Sequence, residues 1–232
     1  QSFQARYPAL YADNNNTVHI SFERANYGIR YTTYNFQGTF SPAEILDDNI
    51  SPSSSDIVVD SEGNKHIAHF NNEKVYYSFK GYSDINWTVN HIATANEGID
   101  SYSEINIGID RFDNLHAAYR YGSYDNNIHY LYRAAGSNNW QEQSIGNAGG
   151  SNRLDRAMAC DTLGNPHILY DANYGLKIAS KKGGWSHEAI MGNSDYRCDE
   201  NYDLKIMDNN RAHVSFYCRT TGVLRYATKV LE

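Results

Sequence analysis

Five short phrases in this 232-residue chain bring an aspartate and a histidine close enough for acid–base or metal chemistry: "DNNNTVHISF" (13–22), "DSEGNKHIAH" (60–69), "DRFDNLHAAY" (110–119), "DTLGNPHILY" (161–170) and "DNNRAHVSF" (208–216). Asp13, Asp60, Asp110, Asp161 and Asp208 open them. His19, His66, His116 and His167 follow six residues later, and His213 follows five residues later. A carboxylate that orients an imidazole is a common core of catalytic and metal sites. An enzyme site is singular, however, and these histidines recur at intervals of 47, 50, 51 and 46 residues. Repetition assigns the pair to scaffold. The aspartate is expected to cap backbone N–H groups of a tight turn, and the histidine to hydrogen-bond a neighbouring turn. Gly63 and Gly164 suit a positive φ there, and Asn14, Asn15, Asp113 and Asn209 suit Asx-type turns.

The elements that carry these turns repeat as well. An apolar run precedes each aspartate ("PALYA", "SDIVV", "INIGI", "RAMAC", "LKIM"), and a second follows each histidine. A third run comes after a polar turn: "GIRYTT", "KVYYSF", "NIHYLY", "GLKIAS", "VLRYAT". An aromatic then opens a fourth in "FSPAEIL" (40–46), "WTVNHIA" (87–93), "WQEQSIG" (140–146) and "WSHEAIM" (185–191). β-branched and aromatic residues dominate, Asn, Gly and Asp separate the runs, and no 3.6-residue period appears. Four short strands per unit predict a β-propeller blade, which buries its faces only against neighbouring blades. The expected fold is all-β, a single five-bladed propeller domain over 1–232, with blades near 6–51, 52–100, 101–151, 152–199 and 200–232. Trp87, Trp140, Trp185 and Phe40 are expected to pack between blades. The fifth unit lacks the aromatic-led fourth strand, so either the last blade has three strands or material before Gln1 has been removed.

Composition narrows the function. The net charge is −7, and the Lys and Arg residues are scattered, which excludes the dense basic stripe of a nucleic-acid binder. No apolar run is long enough for a membrane-spanning helix, so no membrane insertion is expected. Twenty tyrosines against eight phenylalanines favour surfaces that pair an apolar ring with a polar tip, as carbohydrate contacts do. Of Cys160, Cys198 and Cys218, at most one pair can bridge. Cys198 with Cys218 is the favoured pair, and three buried thiols are the alternative. Glycosylation sequons stand at Asn15, Asn49 and Asn86.

The D-x-x-G-N-x-H units resemble secreted β-propellers in the style of Asp-box and sialidase-like repeats, although the pattern S-x-D-x-G-x-x-W itself is not met. In size and blade number the chain also resembles five-bladed lectins of the tachylectin-2 type, without their tryptophan-rich repeat. The resemblance implies a secreted or cell-surface protein that binds oligo- or polysaccharides. It also covers glycoside hydrolases and polysaccharide lyases, and fold alone does not choose among these.

For a lectin-like module, the Tyr/Asn/Arg-rich loops supply the expected ligand-binding residues: Tyr27, Arg30, Tyr121, Tyr124, Asn173 and Tyr174. "ANYG" recurs at 25–28 and 172–175, as a sugar-stacking loop or as a hairpin chosen for turn geometry. For a hydrolase, Asp56, Glu104, Asp155 and Asp203 precede the turn aspartates at unequal distances, as a site or as solvated rim residues. A lyase would draw on His129, Arg30, Arg120 and Arg156. No cofactor is expected; no complete calcium loop is present, and calcium held in the axial channel of a propeller is the alternative. A third reading is an adhesion or protein-interaction domain of a larger or oligomeric surface protein.

Overall fold

The computed structural model describes residues 5–24, 27–48, 52–71, 74–94, 104–120, 127–147, 158–172, 175–191, 200–207, 209–218 and 221–231. Every regular element among them is a strand, and the strands form five antiparallel sheets in chain order. The first holds β1 (Ala5–Ala12), β2 (Thr17–Arg24) and β3 (Ile29–Asn35), with β4 (Thr39–Phe40) and β5 (Glu44–Asp47) both paired to β3. The second holds β6 (Pro52–Val59), β7 (Lys65–Asn71), β8 (Lys74–Lys80) and β9 (Thr88–Thr94). The third holds β10 (Glu104–Ile109), β11 (Leu115–Arg120), β12 (Asn127–Arg133) and β13 (Gln141–Asn147). The fourth holds β14 (Met158–Cys160), β15 (Pro166–Ala172), β16 (Gly175–Lys182) and β17 (Gly184–Ala189). The fifth has three strands, β18 (Glu200–Ile206), β19 (Arg211–Cys218) and β20 (Val223–Val230). The fold class is thus all-β, a five-bladed β-propeller with a three-stranded last blade.

The chain divides into two compact units, Gln1–Ile107 and Gly108–Glu232. Within the first, Ala9, Ile29 and Tyr31 of the first sheet meet Ile57 and Ile67 of the second. The inner strands β6 and β10 are bridged by side chains: Asp56 Oδ2 accepts the Ile107 N–H at 2.9 Å, and Ser54 Oγ accepts that of Ile105 at 3.5 Å. Within the second unit, adjacent residues of β15 serve two cores. Ile168 faces Ala118, Ile128 and Tyr130 of the third sheet, whereas Leu169 faces Val214 and Phe216 of the fifth. A strand buried on both faces reads as a continuous apolar run rather than an alternation, which explains "PHILY" and "LHAAY".

The fourth strand of the first sheet departs from the expected single run. It breaks into β4 and β5 around Pro42, which has no N–H to give to a ladder. Ser41 spans the break, donating its N–H to the Thr33 carbonyl at 2.9 Å and accepting the Thr33 N–H on Oγ at 2.9 Å.

Candidate functional site

The Asp–His units fold into one recurring network. In the second sheet Asp60 Oδ1 accepts the N–H groups of Glu62 (3.0 Å) and Asn64 (2.8 Å), while Oδ2 meets Asn64 Nδ2 (2.8 Å) and His66 Nε2 (3.1 Å). The other histidine nitrogen, Nδ1, bonds the Tyr77 hydroxyl on the third strand at 2.7 Å. Asp13, His19 and Tyr31 repeat this chain, as do Asp110, His116 and Tyr130. The cap is as expected, but the histidine bonds its own blade's aspartate rather than a neighbouring turn. It ties the first turn to the third strand. In the fifth sheet His213 bonds Tyr226 in the same way, and Asp208 lies outside the described residues.

The fourth sheet varies the theme. Register places Ile178 opposite Leu169, the position that Tyr31, Tyr77, Tyr130 and Tyr226 hold opposite Ser21, Ala68, Ala118 and Ser215. Ser180 supplies the missing hydroxyl, its Oγ 2.8 Å from His167 Nδ1, and His167 Nε2 lies 3.3 Å from Asp161 Oδ2. Serine, histidine and aspartate here reproduce the contacts of a hydrolytic triad. All three are buried, and the same frame holds tyrosine elsewhere, so the arrangement is structural.

Hydrogen bonding outweighs burial at these aspartates. Burial alone would raise the Asp161 carboxyl, but bonds from Asn165, His167 and Leu163 hold it below the ordinary range; Asp13, Asp60 and Asp110 behave alike. Burial also lowers His19 and His167, against the pull of their aspartates, so both imidazoles are neutral beside charged carboxylates.

Tyr27 is exposed, under the Arg24 guanidinium at 4.4 Å. The neighbouring Gly28 has φ +81°, and a Cβ there would stand 1.7 Å from the Asp47 carbonyl oxygen, so turn geometry alone requires the glycine of this "ANYG". Arg30 is buried, bonded to Asp48 Oδ1 (2.8 Å) and to the Ile29 and Asp47 carbonyls. Asp56 is half-buried and caps the Ile57 N–H as well as that of Ile107. Glu104 is half-buried at the start of β10, and Asp203 is exposed, capping the Leu204 N–H. Tyr121, Tyr124, Asp155, Arg156, Asn173 and Tyr174 lie outside the described residues. His129 stacks on buried Tyr119 at 5.0 Å, and both bond Glu142. Cys218 is disulfide-bonded, Cys160 is a free thiol that burial pushes up from its ordinary value, and Cys198 lies outside the described residues. Among the described residues, no group of three or more His, Cys, Asp or Glu gathers as a metal site would.

What the structure brings together lies at the end of the blades that carries the aspartate turns. Between the first two sheets, Trp87 stands edge-on to Tyr31 at 5.2 Å and donates its Nε1–H to Glu44 at 2.8 Å. Lys80 Nζ meets the same Glu44 oxygen at 2.7 Å and lies 5.9 Å from the Trp87 ring centre. Between the third and fourth sheets, Trp185 stands edge-on to Tyr130 at 5.0 Å, with Lys181 Nζ 5.9 Å from Trp185 and 4.7 Å from Tyr130. These tryptophans pack between blades as expected. Phe40 does not: it is exposed on β4 and leans on Tyr34 of its own sheet at 4.8 Å.

Pairing explains the recurrence. Lys80, Arg133 and Lys229 pair with the residue just before the histidine of their sheet, and Lys181 follows Ser180, the partner of His167. The sequence carries this signal in Lys80, Arg133, Lys181 and Lys229 at the ends of the third runs, and reading it requires the strand register. The result is an aromatic pair between sheets with a cation beside it, residue types that suit a hydroxyl-rich ligand with apolar patches.

No family model matches the chain, and no curated protein matches it. Solved structures do. A fungal lectin from Aleuria aurantia, titled a six-bladed β-propeller with a novel fucose recognition mode, is 12% identical, with TM-score 0.70 over 98% of this chain and 76% of the lectin. SapL1 lectin in complex with α-methyl fucoside is 14% identical, with TM-score 0.62 over 99% of this chain and 81% of that one. A PL25 ulvan lyase bound to a GlcA–Rha3S unit is 12% identical, with TM-score 0.69 over 96% of this chain and 66% of the lyase. At such identities the likeness shows the fold.

Proposed function

We propose that this chain is a lectin-like carbohydrate-binding module without catalysis, and that its sugars sit in the clefts between successive blades. The observation that carries the proposal is the recurrence of one set, an edge-on Tyr–Trp pair with a lysine beside it, between the first and second sheets and again between the third and fourth. Aromatic walls suit the apolar face of a pyranose, and Lys80, Lys181 and Glu44 suit its hydroxyls. Weak contacts repeated along one chain gain strength through effective concentration, so a binding protein profits from repetition where an enzyme does not. Fucose-binding lectins among the structural neighbours support this reading at the level of fold. Tyr27, Tyr121, Tyr124, Asn173 and Tyr174 stand as a separate candidate set, since the β2–β3 turn that carries Tyr27 lies at the opposite end of its blade from the aspartate turns. The disulfide at Cys218 supports a secreted or surface location, where such bonds persist.

A glycan array led by fucosides and other neutral oligosaccharides tests the proposal on the full chain. Wild-type binding that falls at least tenfold in Trp87→Ala and Trp185→Ala is expected. The reading is overturned if the wild type holds no glycan, if neither variant changes binding, or if reducing sugar is released from a bound polysaccharide.

A further inference from the structure

We propose that the cleft between the third and fourth sheets takes an acidic sugar, a uronate or a sulfate ester, whose anionic oxygen stands where Glu44 stands in the first cleft. The inference rests on the lectin-like reading above and adds the charge of the ligand. Glu44, Asn90, Gln143 and Glu188 occupy one register position, paired with Tyr31, Tyr77, Tyr130 and Ile178 of the third strands. In two clefts this position carries a carboxylate that meets the lysine of the next sheet: Glu44 with Lys80 at 2.7 Å, and Glu188 with Lys229 at 2.6 Å. In the cleft between the third and fourth sheets the carboxylate is replaced by the neutral amide of Gln143, while the lysine, Lys181, is kept.

Two consequences are visible. Trp87 Nε1 donates to Glu44, whereas Trp185 Nε1 is shut off from solvent with no acceptor among the described residues. Lys181 is half-buried over Tyr130 and Trp185 and has no carboxylate within ion-pair distance among the described residues. Burial lowers the ammonium of Lys181. A half-buried cation and a buried N–H without partners both cost free energy. One anionic oxygen would satisfy both, through charge-assisted bonds that a neutral hydroxyl makes more weakly. In the first cleft the Glu44 carboxylate repels the same group.

The test is isothermal titration of the full chain with methyl β-glucuronide, methyl 6-sulfogalactoside and methyl β-glucoside, with the Trp185 indole N–H followed by NMR. At least tenfold tighter binding of one or both acidic sugars is expected, and the arm that binds identifies carboxylate or sulfate as the group recognised. Gln143→Glu, at an exposed position that leaves folding intact, and Lys181→Met should each weaken acidic binding at least tenfold, and the Trp185 signal should move only with acidic sugars. Equal or tighter binding of the neutral glucoside, or acidic binding indifferent to Gln143→Glu, overturns the inference and leaves the lectin reading standing. Failure of every glycan to bind, here and on the array, overturns both.

Discussion

Glu44 and Lys80, thirty-six positions apart in sequence, meet at 2.7 Å across two neighbouring sheets, and the same Glu44 oxygen accepts the Trp87 indole N–H. Glu44 is partly exposed, so water screens the pair, and such ion pairs contribute about 0–1 kcal/mol. The Trp87 ring, packed against the core of Tyr31 and Ile57, contributes through contact area. Glu44→Gln is therefore expected to change unfolding free energy by less than about 1 kcal/mol, and Trp87→Ala to cost about 3 kcal/mol. Urea titration of both variants checks this, and a reversed order would make the ion pair the holding element.

The aspartate turns predict a sharper loss. Asp161 accepts the Leu163 and Asn165 N–H groups, the Asn165 amide and His167 at 2.8–3.3 Å, so its removal strands several donors in a buried turn. Asp161→Ala is expected to cost at least about 2–4 kcal/mol, from a lost cap plus unsatisfied donors. Asp161→Asn keeps one acceptor oxygen for the two backbone groups and should cost less. Equal stability of Asp161→Ala and wild type in urea would remove the turn from the scaffold.

These turns were legible because they repeat, and repetition survives in one dimension. The strand runs, the blade count, the structural role of Asp60 with His66 and the packing of Trp87 and Trp185 all follow from period and residue type. The clefts were hidden for a physical reason. Glu44 and Lys80 belong to different repeats, and their meeting depends on which residue of a fourth strand lies opposite which residue of a third. Phe40 misled because it holds the place of the tryptophans in the repeat, while Pro42 breaks the strand behind it. Tyr27 is legible as an aromatic loop residue, which marks exposure but does not by itself mark a binding site.

Ile178 could not have been singled out from sequence, yet its register makes a prediction. With isoleucine in the tyrosine position, Ser180 Oγ is the partner of fully buried His167 Nδ1. Ser180→Ala should leave that nitrogen unsatisfied and cost about 1–3 kcal/mol, whereas Ser144→Ala, at an exposed position of β13, should change stability by less than about 0.5 kcal/mol. Thermal melts of the two variants distinguish a needed hydroxyl from a tolerated one.

Two glycines with similar backbone angles should respond differently to a methyl group. Gly28 and Gly38 have φ of +81° and +88°, but a Cβ at Gly28 would collide with the Asp47 carbonyl, while Gly38 has open space. Gly38→Ala should cost about 1 kcal/mol, the strain of a left-handed alanine. Gly28→Ala should cost clearly more, since the Asp47 backbone must move. Similar midpoints for the two would mean that the β2–β3 turn yields easily.

Acid should unfold the protein in two stages. Burial holds His19 and His167 below the ordinary imidazole value of 6.5, so the unfolded chain takes up their protons first. That contribution is full above 6.5 and is lost as pH falls from there towards the folded-state values. Asp13, Asp60, Asp110 and Asp161 lie below the ordinary 3.8, so their contribution is full above 3.8 and is lost as pH falls through the lower folded values. Urea midpoints should be flat above about pH 7, by the same linkage, decline gently towards pH 4 and fall steeply below it. His167→Gln removes one imidazole and should shrink the upper decline, and because the His167 bond helps hold Asp161 down, it should also lessen the Asp161 share of the lower one. A midpoint that rises between pH 7 and 5 would mean that the imidazoles are stabilised in their charged form, and the neutral His–charged Asp assignment would fall with it.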